Sequence, residues 1–209
     1  MKKEYSDLIE LGKYLVKYRY ASGSAGNISL KMDNGYVLAS PTNSHLGSLE
    51  ENDLSLLDDK GNHISGLKPT KEIELHLSIY RARKETNAVI HLHSTYLTAL
   101  SCLEGLDRSS VLKPITPYVL MKTGDIPLVP YFKPGSIEIA REIETLAAGH
   151  SAFLLANHGI VVSGRTVNEA CYNFEEIEET AKLHFLLKNE KIKYLTDDDI
   201  SALRSGASK

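Results

Sequence analysis

Apolar residues alternate between helical and extended spacing along the chain, a pattern that predicts an α/β protein. Leu8, Leu11 and Leu15 recur at helical intervals and predict a first helix over residues 4–19. Further helices are predicted over residues 70–84, 95–101, 137–148, 166–187 and 197–204. Short apolar or alternating runs predict strands over residues 27–31, 36–40, 54–57, 63–65, 88–93, 152–156 and 160–163.

Turn-forming residues mark where these elements end. Asp33–Gly35 and Asp58–Asn62 each lie between two short strands and predict β-hairpins. Thr70 and Thr166 are predicted N-caps of the helices that follow them. Residues 102–135 contain five prolines and are predicted to be loop with short strands. Neither a repeat nor a linker interrupts the pattern, so we expect a single domain over residues 1–209.

Composition and charge narrow the class of function. The chain has 209 residues and a net charge of −3, which disfavours nucleic-acid binding because such proteins usually carry a basic stripe. Two cysteines, Cys102 and Cys171, are too few for a disulfide framework and are typical of a reducing cytoplasm. The N-terminus lacks the apolar core of a signal peptide, and no apolar run approaches the roughly 18 residues of a membrane span. We therefore expect a cytoplasmic protein with neither a nucleic-acid nor a membrane partner.

Three histidines carry the clearest chemical signal. His91 and His93 are two residues apart in the predicted strand 88–93, so their side chains point to the same face. His158 directly follows the predicted strand 152–156. If the two strand ends lie close together, the three imidazoles converge, an arrangement that holds a catalytic divalent metal with one position open.

Polar residues near helix and strand ends are candidates for anion binding. Thr70, Lys71 and Glu72 lie at a predicted helix start, where free backbone N–H groups favour anions. Glu72 alone could be no more than a favourable charge in the first helical turn. The loops Gly23–Asn27 and Ser40–Asn43 could bring backbone amides close to a phosphate, although a short glycine and serine loop is more often a simple turn.

Several other polar residues are expected to be structural. His76 lies four residues after Glu72 and could orient it or approach a metal, but a buried, hydrogen-bonded histidine is the better expectation. The acidic run Glu175–Glu179 is expected to be a solvated helix face. Surface or structural roles are expected for His45, His63, His150 and His184.

Five separated motifs together resemble the class II aldolase/adducin family over roughly residues 5–190. In chain order they are Gly23–Asn27, Ser40–Thr42, Lys68–Glu72, His91–His93 and Asn157–Gly159. The resemblance implies a class II aldolase-like α/β fold with a central, mainly antiparallel β-sheet flanked by helices. Within the family, the chain is most similar to the bacterial 3-oxo-tetronate 4-phosphate decarboxylases over residues 93–107, 116–121, 126–131 and 152–159.

The resemblance also implies roles for particular residues. The family's zinc ligands match His91, His93 and His158, together with Glu72, which acts as an acid or base once substrate displaces it. The family's phosphate-binding positions match Asn27, Thr42, Asn43, Thr70 and Lys71. Tyr131 matches a catalytic tyrosine that reaches a neighbouring subunit's site, in a homotetramer with intersubunit active sites.

Two of these positions depart from the family pattern. Asn43 stands where a glycine is common, and Lys71 replaces a serine of the sugar-phosphate aldolases. We expect Lys71 to add a charge-assisted contact to the phosphate.

The reaction implied by the resemblance is zinc-dependent decarboxylation of 3-oxo-tetronate 4-phosphate, a phosphorylated four-carbon sugar acid. Carbon dioxide and dihydroxyacetone phosphate form through a metal-bound enediolate, in sugar acid catabolism. One alternative is a sibling enzyme with the same metal site, a fuculose-phosphate type aldolase or a ribulose-phosphate 4-epimerase. The other is a non-catalytic, adducin-like binding module, against which retention of all four metal-site residues argues.

Overall fold

The computed structural model describes residues 3–206 and has the predicted α/β architecture. The helices are α1 Lys3–Lys17, α2 Ile73–Ala82, α3 Thr95–Ser101, α4 Tyr118–Thr123, α5 Ile137–Ala147, α6 Val167–Leu186 and α7 Asp197–Gly206. The strands are β1 Asn27–Lys31, β2 Val37–Ala39, β3 Ser55–Leu57, β4 His63–Ser65, β5 Ala88–Leu92, β6 Leu128–Val129, β7 Ala152–Leu155 and β8 Gly159–Gly164. Residues 1–2 and 207–209, which the predicted domain includes, lie outside the described part of the chain.

Helix α2 begins later than predicted. Its first helical residue is Ile73, and Glu72 rather than Thr70 is at the N-cap. The reason is that Pro69 forms a β-bridge with Pro41 and the Thr70 N–H donates to the Ser40 carbonyl, so this segment stays extended. The predicted Thr70 cap is therefore wrong, whereas Thr166 does cap α6 by accepting the Glu169 N–H.

Helix α4 is absent from the prediction, which assigned residues 102–135 to loop and short strands. Pro117 lies at its N-terminus with a helical φ of −74°, and Gly124 ends it with a φ of 69°. Proline at a helix start and glycine just past its end are both favourable, because neither position needs the missing N–H or the missing side chain. The proline content of this stretch therefore marked a helix start as well as loops.

One eight-stranded sheet, ordered β4-β3-β2-β1-β5-β8-β7-β6, forms the centre of the molecule. All neighbouring strands are antiparallel except β6 and β7, which confirms the predicted, mainly antiparallel sheet. Asn27 of β1 pairs with His91 of β5, and His91 pairs in turn with Val161 of β8. Asn27 and His91, two of the candidate site residues, thus lie on adjacent central strands.

Alternation along β5 sends its side chains into two apolar layers. Ile90 and Leu92 pack with residues of α1, α3 and α6, whereas Val89 packs with residues of α2 and α5. Because side chains two apart share a face, His91 points to the side of the sheet that α2 covers. Among the helices in the described residues, none combines the length and apolarity needed to cross a membrane.

Candidate metal centre

The three predicted histidines converge at one end of β5 and β8. His91 lies in β5, His93 directly follows it, and His158 lies in the turn between β7 and β8. Their possible ligand nitrogens all lie within 4.8 Å of one another, and the Nε2 atoms of His91 and His93 are 3.1 Å apart. The convergence expected from strand spacing is therefore present.

Hydrogen bonds fix the ring of His91 and the backbone of His158. The fully buried His91 donates its Nδ1–H to the carbonyl of Ile160 at 2.9 Å, so Nε2 is the ring nitrogen that faces the cluster. The His158 N–H donates to Ser101 Oγ at 3.2 Å. At Gly159, a side chain would collide with the carbonyl oxygen of Leu92, so only glycine lets β8 approach β5 this closely.

The Glu72 carboxylate faces the same cluster from the N-cap of α2. Its Oε2 lies 3.3 Å from His91 Nε2 and its Oε1 lies 3.6 Å from His158 Nε2. Burial alone would raise the pKa of Glu72, but the charge of His91 and hydrogen bonds from His91 and Asn27 hold it well below its usual range. Glu72 is therefore an ionised carboxylate aimed at three imidazoles.

The chemistry of these residues fits a divalent cation. Oε1 of Glu72 is buried and has no hydrogen-bond partner among the described residues, as a ligand oxygen would. Burial, with the charge of His91, lowers the pKa of His93 and of His158 to about 4, so both rings are neutral near pH 7 with lone pairs available. His91 is buried whereas His93 is exposed, so the centre opens to solvent on the His93 side.

The loop Gly23–Asn27 lies directly against this centre. Gly26 has a φ of 84°, and a side chain there would lie 2.9 Å from the carbonyl oxygen of His91. The loop ends at Asn27, whose side-chain amide donates to Glu72 Oε2 at 2.9 Å. One N–H of Asn27 is thus committed to Glu72, and its second N–H remains for another acceptor.

The other two candidate anion-binding segments lie side by side. The Thr42 N–H donates to the Lys68 carbonyl at 2.9 Å, and the Thr70 N–H donates to the Ser40 carbonyl at 3.2 Å. The expectation of a free Thr70 N–H is therefore wrong, because the bridge between the two segments uses it. Lys71 is exposed beside this bridge.

Tyr131 lies on the surface after β6, with 61% of its area exposed. Within residues 3–206, no hydrogen bond, ion pair or ring contact joins its side chain to the three histidines. The chain thus brings Glu72 and Asn27 to the centre, but not Tyr131.

Glu178 is a functional neighbour that the sequence analysis missed. It is only 4% exposed, so the prediction of a solvated face is wrong at this position. Its carboxylate accepts the hydroxyl of Ser94 at 2.7 Å and the N–H groups of Tyr96 and Leu97 at 3.0 Å. These contacts cap α3 directly after His93. The helical spacing of Phe174, Glu178 and Ala181 was the available signal, since it places Glu178 on the apolar face.

Comparison with known proteins agrees with this fold and site. Residues 6–185 match the family described as Class II Aldolase and Adducin N-terminal domain. The chain belongs to the class II aldolase/adducin family, as its motifs predicted.

Its relatives include enzymes of one named activity. The chain is 52% identical over 198 residues to a 3-oxo-tetronate 4-phosphate decarboxylase of Pectobacterium atrosepticum, covering 95% of this chain and 91% of the relative. It is 54% identical over 186 residues to the Escherichia coli K12 protein of the same name, covering 89% and 88%. The crystal structure of YgbL from Escherichia coli matches with a TM-score of 0.95 and 48% identity, covering 97% of this chain and 100% of that one.

Proposed function

We propose that the protein is a divalent-metal-dependent carboxy-lyase that converts 3-oxo-tetronate 4-phosphate into dihydroxyacetone phosphate and carbon dioxide. The observation that carries this proposal is the convergence of three neutral or hydrogen-bonded imidazoles on an ionised carboxylate. Four relatives at 47–54% identity that carry the name of this decarboxylase support the choice of reaction.

His91, His93 and His158 would hold the cation, with Glu72 as a fourth ligand before substrate binds. Three imidazoles with an open position are typical of catalytic zinc, so we propose zinc as the resident ion. A bound divalent cation supplies Lewis acidity at the keto oxygen of the substrate and so favours loss of carbon dioxide. The exposed side of His93 is where substrate would enter.

The substrate phosphate would bind beside the two bridged segments. Thr42 and Asn43 lie on one segment and Thr70 and Lys71 on the other, so residues with hydroxyl, amide and ammonium side chains lie on neighbouring segments. Asn27 would contribute its second N–H. A charged Lys71 gives a stronger contact to phosphate than a neutral donor.

The reaction needs one proton, delivered to a carbon atom. When the bond between C1 and C2 breaks, carbon dioxide leaves and the electron pair of that bond passes into the C3 carbonyl. Protonation at C2 then completes dihydroxyacetone phosphate. Glu72 is ionised and would first have to take up a proton, whereas a phenol hydroxyl such as that of Tyr131 is itself a donor. Measuring the turnover of Glu72→Gln and of Tyr131→Phe will show which residue delivers the proton.

A donor role for Tyr131 requires a second subunit, because this side chain is exposed and apart from the centre of its own chain. We propose a homotetramer with sites at subunit interfaces, as the family resemblance implies. We also propose a cytoplasmic location, which the two free cysteines Cys102 and Cys171 support. Mixing His93→Ala with Tyr131→Phe tests the shared site, since hybrid assemblies would regain activity that neither variant has alone.

The deciding experiment is an assay of the zinc-loaded protein with 3-oxo-tetronate 4-phosphate generated in place. We expect equal release of carbon dioxide and dihydroxyacetone phosphate, lost on chelation and in His93→Ala. His63→Ala is the matched control, because His63 is exposed on the edge strand β4, away from the centre. Fully metallated protein that releases no carbon dioxide would refute the decarboxylase, and aldol cleavage of sugar phosphates would then be the reaction to examine.

A further inference from the structure

A chain of buried polar groups runs from the interior of α2 to the Glu72 carboxylate. Tyr80 Oη lies 2.7 Å from Ser29 Oγ, which lies 2.7 Å from His76 Nδ1. His76 Nε2 lies 2.6 Å from Asn27 Oδ1, and Asn27 Nδ2 lies 2.9 Å from Glu72 Oε2. Ser29 and His76 are completely buried, and Asn27 and Tyr80 are 5% and 6% exposed. This His76 relay therefore connects the site to the core without a solvent-exposed link.

The direction of each hydrogen bond follows from the ionised end of the relay. A carboxylate only accepts, so Asn27 must donate its Nδ2–H to Glu72 and turn its oxygen toward His76. His76 must then donate its Nε2–H to that oxygen, which leaves Nδ1 to accept the hydroxyl proton of Ser29. Burial lowers the pKa of His76 to about 3, so the ring is neutral and this single tautomer is available.

We propose that His76 is a positioning residue that holds the Asn27 amide in one orientation and, through it, the Glu72 carboxylate. With the opposite tautomer, His76 would accept from Asn27, whose carbonyl oxygen would then face the carboxylate and repel it. The inference rests on the proposed function, because it assigns Glu72 a role in the metal site and the reaction.

A buried polar side chain on α2 does not in general need such a relay. Ser78 is also completely buried on α2 and satisfies its hydroxyl locally, by donating to the Leu75 carbonyl at 2.7 Å. His76 instead directs both ring nitrogens across to β1. Its contacts thus serve the alignment of β1 and Glu72 rather than the helix itself.

Two substitutions of His76 separate positioning from packing. A glutamine side chain carries an amide N–H that can replace the Nε2 donor, whereas leucine fills the space without one. We expect His76→Leu to lower kcat and zinc affinity by about 10–100-fold, the usual loss when a group that orients a metal ligand is removed. KM should change by less than kcat does, because only Asn27 among the proposed phosphate contacts depends on His76. His76→Gln should restore most of both quantities.

The controls cover folding and the rest of the relay. Ser78→Ala removes a buried hydroxyl from the same helix and should leave kcat and zinc affinity unchanged. If His76→Leu fails to fold, Ser29→Ala replaces it, since it removes the donor to Nδ1 and frees the tautomer while the imidazole stays in place. Zinc affinity is measured by competition with a chromophoric chelator, and folding by thermal unfolding.

A direct readout of the tautomer is independent of catalysis. In ¹⁵N-histidine NMR spectra of metal-free protein, the signals that disappear in His76→Gln should show a protonated Nε2 and an unprotonated Nδ1. A protonated Nδ1 would overturn the inference, as would wild-type zinc affinity in a folded His76→Leu or equal losses in the leucine and glutamine variants. If wild-type protein releases no carbon dioxide, the decarboxylase proposal fails, while zinc affinity and the tautomer still decide this one.

Discussion

Asn43 has a left-handed backbone conformation, with a φ of 58°, at a position where the motif resemblance predicts glycine. Asparagine tolerates this conformation better than other residues that have a side chain, because its short polar group can bond locally. Asn43 therefore holds a backbone conformation that glycine would also adopt. Asn157, directly before His158, has the same conformation with a φ of 52°.

Substitution of Asn43 tests this conformational reading. Asn43→Gly should leave the free energy of unfolding within about 0.5 kcal/mol of wild type, whereas Asn43→Ala should lower it by about 1 kcal/mol, because alanine is strained at positive φ. Urea denaturation measures both values. Equal stability of the alanine and glycine variants would show that the loop adopts another conformation in solution.

His76 also makes the stability of the protein depend on pH. Its pKa is about 3 in the folded protein, below the ordinary value of 6.5, so the unfolded chain binds a proton that the folded protein does not. Stability contributed by the neutral ring is therefore lost as pH falls from about 6.5 toward 3. Metal-free His76→Gln should lose less free energy of unfolding than wild type between about pH 7 and 4. Parallel curves for the two proteins would contradict this account.

At the scale of secondary structure, α3 is held by a residue from another helix. Its N-cap, Ser94, makes no side-chain cap to α3, and Glu178 of α6 accepts the orphan N–H groups instead. Since α3 begins two residues after His93, this contact also anchors the end of β5. Helix α6 therefore supports the metal centre from the opposite face of the sheet.

Removal of the Glu178 carboxylate should lower the free energy of unfolding. Glu178→Ala leaves a buried hydroxyl and two N–H groups without their acceptor, so we expect a loss of roughly 2–3 kcal/mol in the free energy of unfolding. Glu179→Ala is the matched control, because Glu179 is exposed and forms a surface ion pair with Lys182, and should cost less than about 0.5 kcal/mol. A Glu178→Ala variant as stable as the control would refute the capping role.

The sequence predicted elements and strand ends well, but not the contacts between elements. Periodicity found α1, α6 and the strand of His91, because packing reinforces what the local pattern already favours. It could not find that Pro69 pairs with Pro41, which delays α2 and places Glu72 at the N-cap. Helical spacing places Glu178 on the apolar face of α6, but it could not identify the groups that Glu178 caps, which are 81–84 residues away in the chain. Both the late start of α2 and the contacts of Glu178 depend on pairing between distant parts of the chain.

For the molecule as a whole, the candidate centre joins three adjacent strands and a helix end. Sequence motifs could name His91, His93, His158 and Glu72 separately, but only the order β1-β5-β8 brings them together. The two-residue spacing of His91 and His93 in a predicted strand was enough to place their side chains on one face. The place of His158 depended on the antiparallel pairing of β5 with β8, which no local pattern specifies.

Because a bound ion would contact the folded arrangement and not an extended chain, metal should stabilise the whole molecule. At zinc concentrations about 100 times the dissociation constant, the free energy of unfolding should rise by about 2.7 kcal/mol. The gain should vanish with a chelator and in His93→Ala. If excess zinc, added in the absence of calcium, leaves the free energy of unfolding unchanged, the proposed metal site is refuted.

The pairing of β1 with β5 and of β5 with β8 joins residues that are 58 to 76 positions apart in the chain. Loops of this length close slowly, so these pairings should form late during folding. An ion whose ligands come from the end of β5, the turn before β8 and the start of α2 has few ligands in place until the folding barrier has been crossed. We expect zinc to slow the unfolding of the protein in stopped-flow experiments while leaving its refolding rate nearly unchanged. The metal would then stabilise the folded structure without helping it to form.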